Sequence, residues 1–286
     1  MDSLLLHQAL LAGQSSGDPR WLGQSADFPE KLRREIEQIC RRFGARPAEL
    51  LDEVLWAEPL EREWIVVARA RGLGGDAEHP PEVTGFHFLL LFRDQYWAAT
   101  GDPFLLAESQ VNWEQRGALP MVTVPWPPPP RTTDQVREVI HSPDGIMLLG
   151  AAQDLVDGGR VAFVRPKPDP TLLRNLWMLL PIRARCGLWP ATYVYNASTT
   201  FHALAASAET ARNLWPAYLS EEQAANYPES SYELGVHAAA ETGDQDSLNI
   251  LFARRSAAEV RRLGFWVLGG IIVLAIAMGV VKGCGG

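Results

Sequence analysis

Cysteine is scarce in this chain of 286 residues. The three present, Cys40, Cys186 and Cys284, are odd in number and far apart. That argues against a disulfide framework and suits a reducing compartment. There is no C-x-x-C, and the six histidines are scattered, none of them in H-E-x-x-H spacing. The pattern expected of a zinc site is therefore missing, and no metal, cofactor or catalytic set is expected. A phosphate loop is missing too. The Gly-x-Gly of RGLGGD (71–76) is followed by Glu78-His79-Pro80-Pro81 rather than by a helix whose amide groups could face a phosphate. Positive charge is in deficit, with 26 Lys and Arg against 34 Asp and Glu and a net charge of −8. Such a body is a poor partner for nucleic acid, which needs clustered cations. A secretory leader is also not expected, because Leu4-Leu5-Leu6 runs at once into His7 and Gln8 with no basic segment before it.

What the chain does have is one long uncharged stretch, Leu263 to Val281, LGFWVLGGIIVLAIAMGVV. As a helix it would rise ~28 Å, close to the ~30 Å hydrocarbon core of a bilayer. Leu263, Trp266, Gly270, Ala275, Gly279 and Val281 mark the expected transmembrane helix, with a short tail at 282–286. Arg254, Arg255, Arg261 and Arg262, against Glu259 alone, form a basic hem before it, and only Lys282 lies beyond. Positive residues at a span end favour the cytoplasmic side, so a single-pass inner-membrane protein with a cytoplasmic body is expected. The hem would rest on anionic headgroups of the lipid bilayer. Ala275, Gly279 and Gly283 recur every four residues, a spacing that lets two helices approach closely in lipid and would support a homodimer.

The body is ordinary in composition, 47% hydrophobic and 21% charged, so a real core is expected. Gly13-Gln14-Ser15-Ser16-Gly17 fits the G-x-S-x-G pattern of a nucleophile elbow. Asp18-Pro19 follows it, which favours a loop over the helix that such an elbow needs. From Asp27 to Gly44 the residues Leu32, Ile36, Ile39, Cys40 and Phe43 recur on one helical face. Residues 63–70 and 84–92 read as strands. Pro127 to Pro130 read as a stiff spacer. The expected fold is α+β: an N-terminal module at 1–124, a proline-rich linker at 125–131, a middle module at 132–207 and a helical connector at 208–262. In the middle module the order helix, strand, helix, strand, strand is expected, with helices at 132–140, 146–156 and from Asp169-Pro170, and strands at 160–165, 192–195 and 200–205.

Three stretches also carry a resemblance: His7-Gln8-Ala9-Leu10, Val156-Asp157-Gly158-Gly159-Arg160, and Leu176-Trp177-Met178-Leu179-Leu180-Pro181 with Trp189-Pro190-Ala191-Thr192. Together they are similar to uncharacterised tail-anchored proteins of planctomycete-type bacteria. More distantly they resemble GTPase-associated adaptor proteins of bacterial conflict systems. Where that adaptor motif has Gly-His, this chain has Gly17-Asp18. The resemblance implies protein interaction beside a small GTPase rather than chemistry. The leading expectation is thus a membrane-tethered, non-catalytic adaptor or scaffold. Its competitors are a membrane-surface hydrolase using Ser15 and a small-ligand sensor, for which no residue pattern speaks.

Overall fold

A computed structural model describes residues 3–13, 18–44, 46–47, 50, 52–74, 83–197, 200–215 and 217–254. The expected span, Arg255, Arg261 and Arg262, the dimer stripe, and Ser15 with Ser16 lie outside the described residues. Among those described, no helix is long and apolar enough to cross a membrane.

The architecture is mixed α+β. In chain order the N-terminal part holds β1 (Ser3–Gly13), β2 (Arg20–Ser25), α1 (Arg33–Phe43), β3 (Val54–Leu60), β4 (Trp64–Leu73), β5 (Val83–Phe92), α2 (Arg93–Ala98), α3 (Pro103–Leu106), β6 (Gly117–Leu119) and β7 (Val122–Pro125). The remainder holds α4 (Thr133–Ile140), α5 (Gly145–Asp157), β8 (Val161–Val164), α6 (Pro170–Leu179), α7 (Ile182–Arg185), β9 (Pro190–Val194), β10 (Ala203–Ala206), α8 (Ala208–Leu214), α9 (Glu221–Ala225), α10 (Ser231–Thr242) and α11 (Gln245–Phe252).

One sheet runs β6-β2-β1-β5-β4-β3-β9-β10-β8, with β7 added to the first half of β1. The pairs β2–β1, β1–β5, β5–β4, β4–β3 and β3–β9 are antiparallel, and β9–β10 and β10–β8 are parallel. Along this parallel edge α6 and α7 lie between β8 and β9 in the chain, while β9 is followed by β10 with no named helix between them. The long strands β4 and β5 alternate little in polarity, and both faces are buried over most of their length. Helix α1 lays its expected apolar face on the sheet: Leu32, Ile36, Ile39, Cys40 and Phe43 are all buried. Phe43 stacks on Trp56 at a centroid distance of 3.9 Å. Gly44 closes the helix at φ +91°, a conformation a side chain would strain.

The proline stretch expected as a linker begins inside β7 and ends at Arg131, whose guanidinium donates to the carbonyls of Met178 and Leu180 at 2.7 Å each. The sheet itself continues across the expected boundary. It is joined there by the Trp56–Ala191 pairing of β3 with β9. Beside that pairing the Leu55 amide donates to Thr192 Oγ1 at 2.8 Å, in a buried setting. One contiguous apolar cluster covers both halves. Thr192→Val keeps the shape but leaves the Leu55 amide without its acceptor. It is expected to lower unfolding free energy by about 1–2 kcal/mol in urea titration. An unchanged midpoint would show that the junction does not depend on this bond.

The expected helix over 146–156 is α5, buried along nearly its whole length. It is enclosed by α4, α6, α9 and α10. Thr132 caps α4, in a reciprocal box with Gln135. Residues 71–73 of RGLGGD are strand, because β4 continues to Leu73 in register with Val83 of β5. The strands β1, β2 and β3 were not anticipated from the sequence.

A candidate arginine-lined hollow and the C-terminal helices

The largest hollow among the described ones, about 310 Å³, lies beneath the prolines and between α3, α6 and α7. Its apolar wall is Pro128 to Pro130, Phe104, Met178 and Ile182. Its charged groups are three arginines and two carboxylates, with Thr100 and Gln135 beside them. Arg185, 2% exposed, pairs through Nη2 with Asp102. Asp102 also caps α3, accepting from the amides of Phe104 at 3.0 Å and Leu105 at 3.1 Å. Arg174 reaches Glu108 at 3.3 Å. Arg131 finds no carboxylate within ion-pair distance among the described residues. It rests over the Phe252 ring at 3.6 Å and gives Nη1 to the last carbonyls of α6. Its Nη2 and the Nε of Arg185 have no hydrogen-bond partner among the described residues. Burial first, and the neighbouring Arg185 second, hold the Arg131 guanidinium well below its ordinary pKa.

The surrounding groups fix the corner. Trp177 Nε1 donates to the Gly101 carbonyl at 3.0 Å. Gly101 has φ +63°, and a Cβ there would press on the Arg185–Cys186 backbone. The Tyr96 and Tyr232 hydroxyls donate to the carbonyls of Gly101 and Leu179. The hollow is therefore framed by contacts that hold the loop after α2 against the end of α6.

A second hollow, about 170 Å³, lies beside His87 on β5. His87 Nε2 sits 2.9 Å from Gln8 Oε1, which makes the nitrogen the donor, and Nδ1 has no partner. Burial, with Arg69 adding to it, pushes this imidazole down to about 3. His202 is pushed down to about 4 by burial and then Arg160, and its Nδ1 accepts from the Trp189 amide. Burial raises the Cys40 thiol. These groups stay uncharged at neutral pH. Asp154 differs. Burial, then Asp157, lifts its carboxyl to about 6, and Gly159 lies so close that a Cβ would overlap it. Tyr227 stands beside both carboxylates, its hydroxyl 3.4 Å from Asp157 Oδ2. Among the described residues no group of three His, Cys, Asp or Glu is placed to hold a metal ion.

Of the expected membrane-proximal cations, Arg254 is described. It follows α11, and its Nη1 reaches Ser231 Oγ at 3.4 Å. The antiparallel pair α10–α11 meets through Gly235 and Leu251 and leaves Leu234 50% and Ile250 73% exposed.

Sequence reasoning named none of the residues of the arginine hollow as a site. They are spread over more than eighty positions, and only Pro128 to Pro130 carried a local signal, read then as a spacer. The motif residues behind the resemblance serve the frame instead: Gln8 bonds His87, Gly159 covers Asp154, Trp177 bonds Gly101. No protein-family model matches the chain, and no curated protein matches it.

Proposed function

We propose that the protein is a non-catalytic adaptor tethered to the cytoplasmic face of the inner membrane. The observation that carries the proposal is the uncharged run Leu263–Val281 placed just after α11. Nineteen uncharged residues match the thickness of a bilayer's hydrocarbon core. Exposed Leu234 and Ile250 on α10 and α11, with Arg254 just after α11, supply apolar and cationic groups that would suit a lipid surface. Phosphatidylserine-type headgroups attract such cations by about 1 kcal/mol each.

The adaptor part of the proposal rests on the resemblance, which implies protein interaction rather than chemistry. At His87, His202 and Cys40 burial serves packing and hydrogen bonding. The partner suggested by the resemblance is a small GTPase.

The test is twofold. Full-length protein made without detergent is mixed with phosphatidylcholine vesicles containing phosphatidylserine, and compared with a chain ending at residue 254. The full chain sediments with vesicles and resists carbonate extraction, whereas the shortened chain stays in the supernatant. Native membranes are then solubilised, and proteins bound to the full chain are compared with and without a non-hydrolysable GTP analogue. A full chain that stays monodisperse in water ends the tether. Recovery of no GTPase under either condition ends the GTPase link.

A further inference from the structure

The hollow at Asp102, Arg131, Arg174 and Arg185 holds one guanidinium more than it holds carboxylates. Salt bridges account for two of the three: Arg185 with Asp102 and Arg174 with Glu108. The third, Arg131, is half-buried, with an aromatic ring on one face and backbone carbonyls on one nitrogen. Those carbonyls are neutral. They satisfy Nη1 and close the end of α6, but they do not compensate a unit charge partly removed from water. A cation partly withdrawn from water with no ion-pair partner among the described residues is costly, and so is a buried N–H without an acceptor. Arg131 Nη2 and Arg185 Nε are both such N–H groups. A structural role explains part of each arginine and leaves the surplus charge and both open donors unexplained. Next to them is about 310 Å³ of space with an apolar wall of prolines, Phe104, Met178 and Ile182.

We infer that this hollow is a binding site for a small molecule bearing a phosphate or carboxylate group on a compact apolar body. The guanidinium is planar and presents paired donors, which match the oxygens of either anion. Arg174, half exposed at the rim, meets the anion as it enters. The prolines and Met178 take the apolar part. Asp102 competes with the ligand for Arg185, so it limits affinity. Arg131 touches α11 through Phe252, but the inference does not depend on the tether.

Full-length protein in phosphatidylcholine nanodiscs, in chloride buffer at fixed ionic strength, is titrated calorimetrically with phenyl phosphate, inorganic phosphate and benzoate. Saturable one-to-one binding of phenyl phosphate or benzoate is expected, and the stronger of the two identifies the head group. Inorganic phosphate, without the apolar part, binds more weakly than phenyl phosphate. Two variants separate a site from a mere structural corner. Arg174→Met, at an exposed position, weakens binding about tenfold. Asp102→Asn keeps an oxygen for the α3 amides but removes the competing charge, and it tightens binding about tenfold. A purely structural Asp102 would not produce tighter binding on removal of its charge. If Asp102→Asn does not fold, the Arg174→Met comparison decides. No saturable heat from any probe up to about 10 mM, or equal affinities in wild type and Arg174→Met, overturns the inference.

Discussion

Moving the protein from pH 7 to pH 5 is expected to lower its unfolding free energy by about 2 kcal/mol. The cause is a pair of buried histidines. His87 has its pKa pushed down to about 3 and His202 to about 4, both chiefly by burial. In the unfolded chain each takes up a proton near pH 6.5. Between 6.5 and the folded values the unfolded state therefore binds more protons, and stability falls as the pH falls. The contribution of these histidines is fully present above pH 6.5 and is lost on the way down to about 4 and about 3. Together they remove about 3 kcal/mol between pH 7 and 5.

Asp154 works in the opposite direction. Its folded pKa is raised to about 6, so the folded state binds the extra proton and gains stability on acidification, offsetting about 1 kcal/mol. Glu53 and Glu58 are raised by burial too and add to the offset at lower pH. Three variants separate the contributions in urea titrations followed by tryptophan fluorescence. His87→Leu makes the pH dependence shallower. Asp154→Asn makes it steeper, and stabilises the protein at pH 7 because no charge must then be buried. His202→Asn keeps a polar group near the Trp189 amide and also flattens the curve. A wild-type stability that is level from pH 7 to pH 5, with no change in slope in His87→Leu, would contradict this account.

The second large effect concerns Gly150. In the interior of an exposed helix, Gly→Ala gains about 0.5–1 kcal/mol because glycine loses more backbone freedom on folding. Gly150 lies in the middle of α5, so propensity alone predicts a gain. Its surroundings reverse the sign. A Cβ there would overlap the Ala224 carbonyl oxygen at the end of α9 and come within 3.1 Å of Tyr227 Cβ. The obstacle is backbone, which cannot rotate away as a side chain can. Gly150→Ala must displace α9 from α5, and a loss of about 3 kcal/mol or more is expected. Gly235→Ala in α10 is the matched control. There the Cβ meets only the end of the Leu251 side chain at 3.1 Å, so a small adjustment suffices and the change is close to neutral. Denaturant midpoints of the two variants, measured side by side, decide the matter. A stable Gly150→Ala protein would mean that α9 does not lean on α5 as closely as described.

These cases show which parts of the fold could be read from residues alone. Helix α1 was readable because five apolar side chains recur at helical spacing between a turn and a glycine. Helices α4 and α6 were readable from Thr132 and from Asp169-Pro170, which set the chain direction locally. Strands β4 and β5 had the β-branched and aromatic density of buried strands. By contrast β1 resembles no simple pattern. Ser3-Leu4-Leu5-Leu6 pairs with β7 and His7 to Gly13 with β5, so its burial does not alternate with a fixed period. Strand β3 carries Glu58 and Pro59, which argue against a strand. Pairing of Glu58 with Arg42 and Trp56 Nε1 lets it be buried there. The arginine hollow was unreadable for a different reason. Arg131, Arg174 and Arg185 look like ordinary solvated charges in the sequence, and only long-range packing buries Arg185, half-buries Arg131 and sets half-exposed Arg174 beside them.

The place of β1 has a consequence for how the protein is made. Strand β1 is an inner strand whose partners β2, β5 and β7 all follow it in the chain and extend as far as Pro125. Synthesis must therefore pass that point before this apolar strand can be covered on both edges. Until then it depends on chaperones, or on its own early pairing with β2, to escape aggregation.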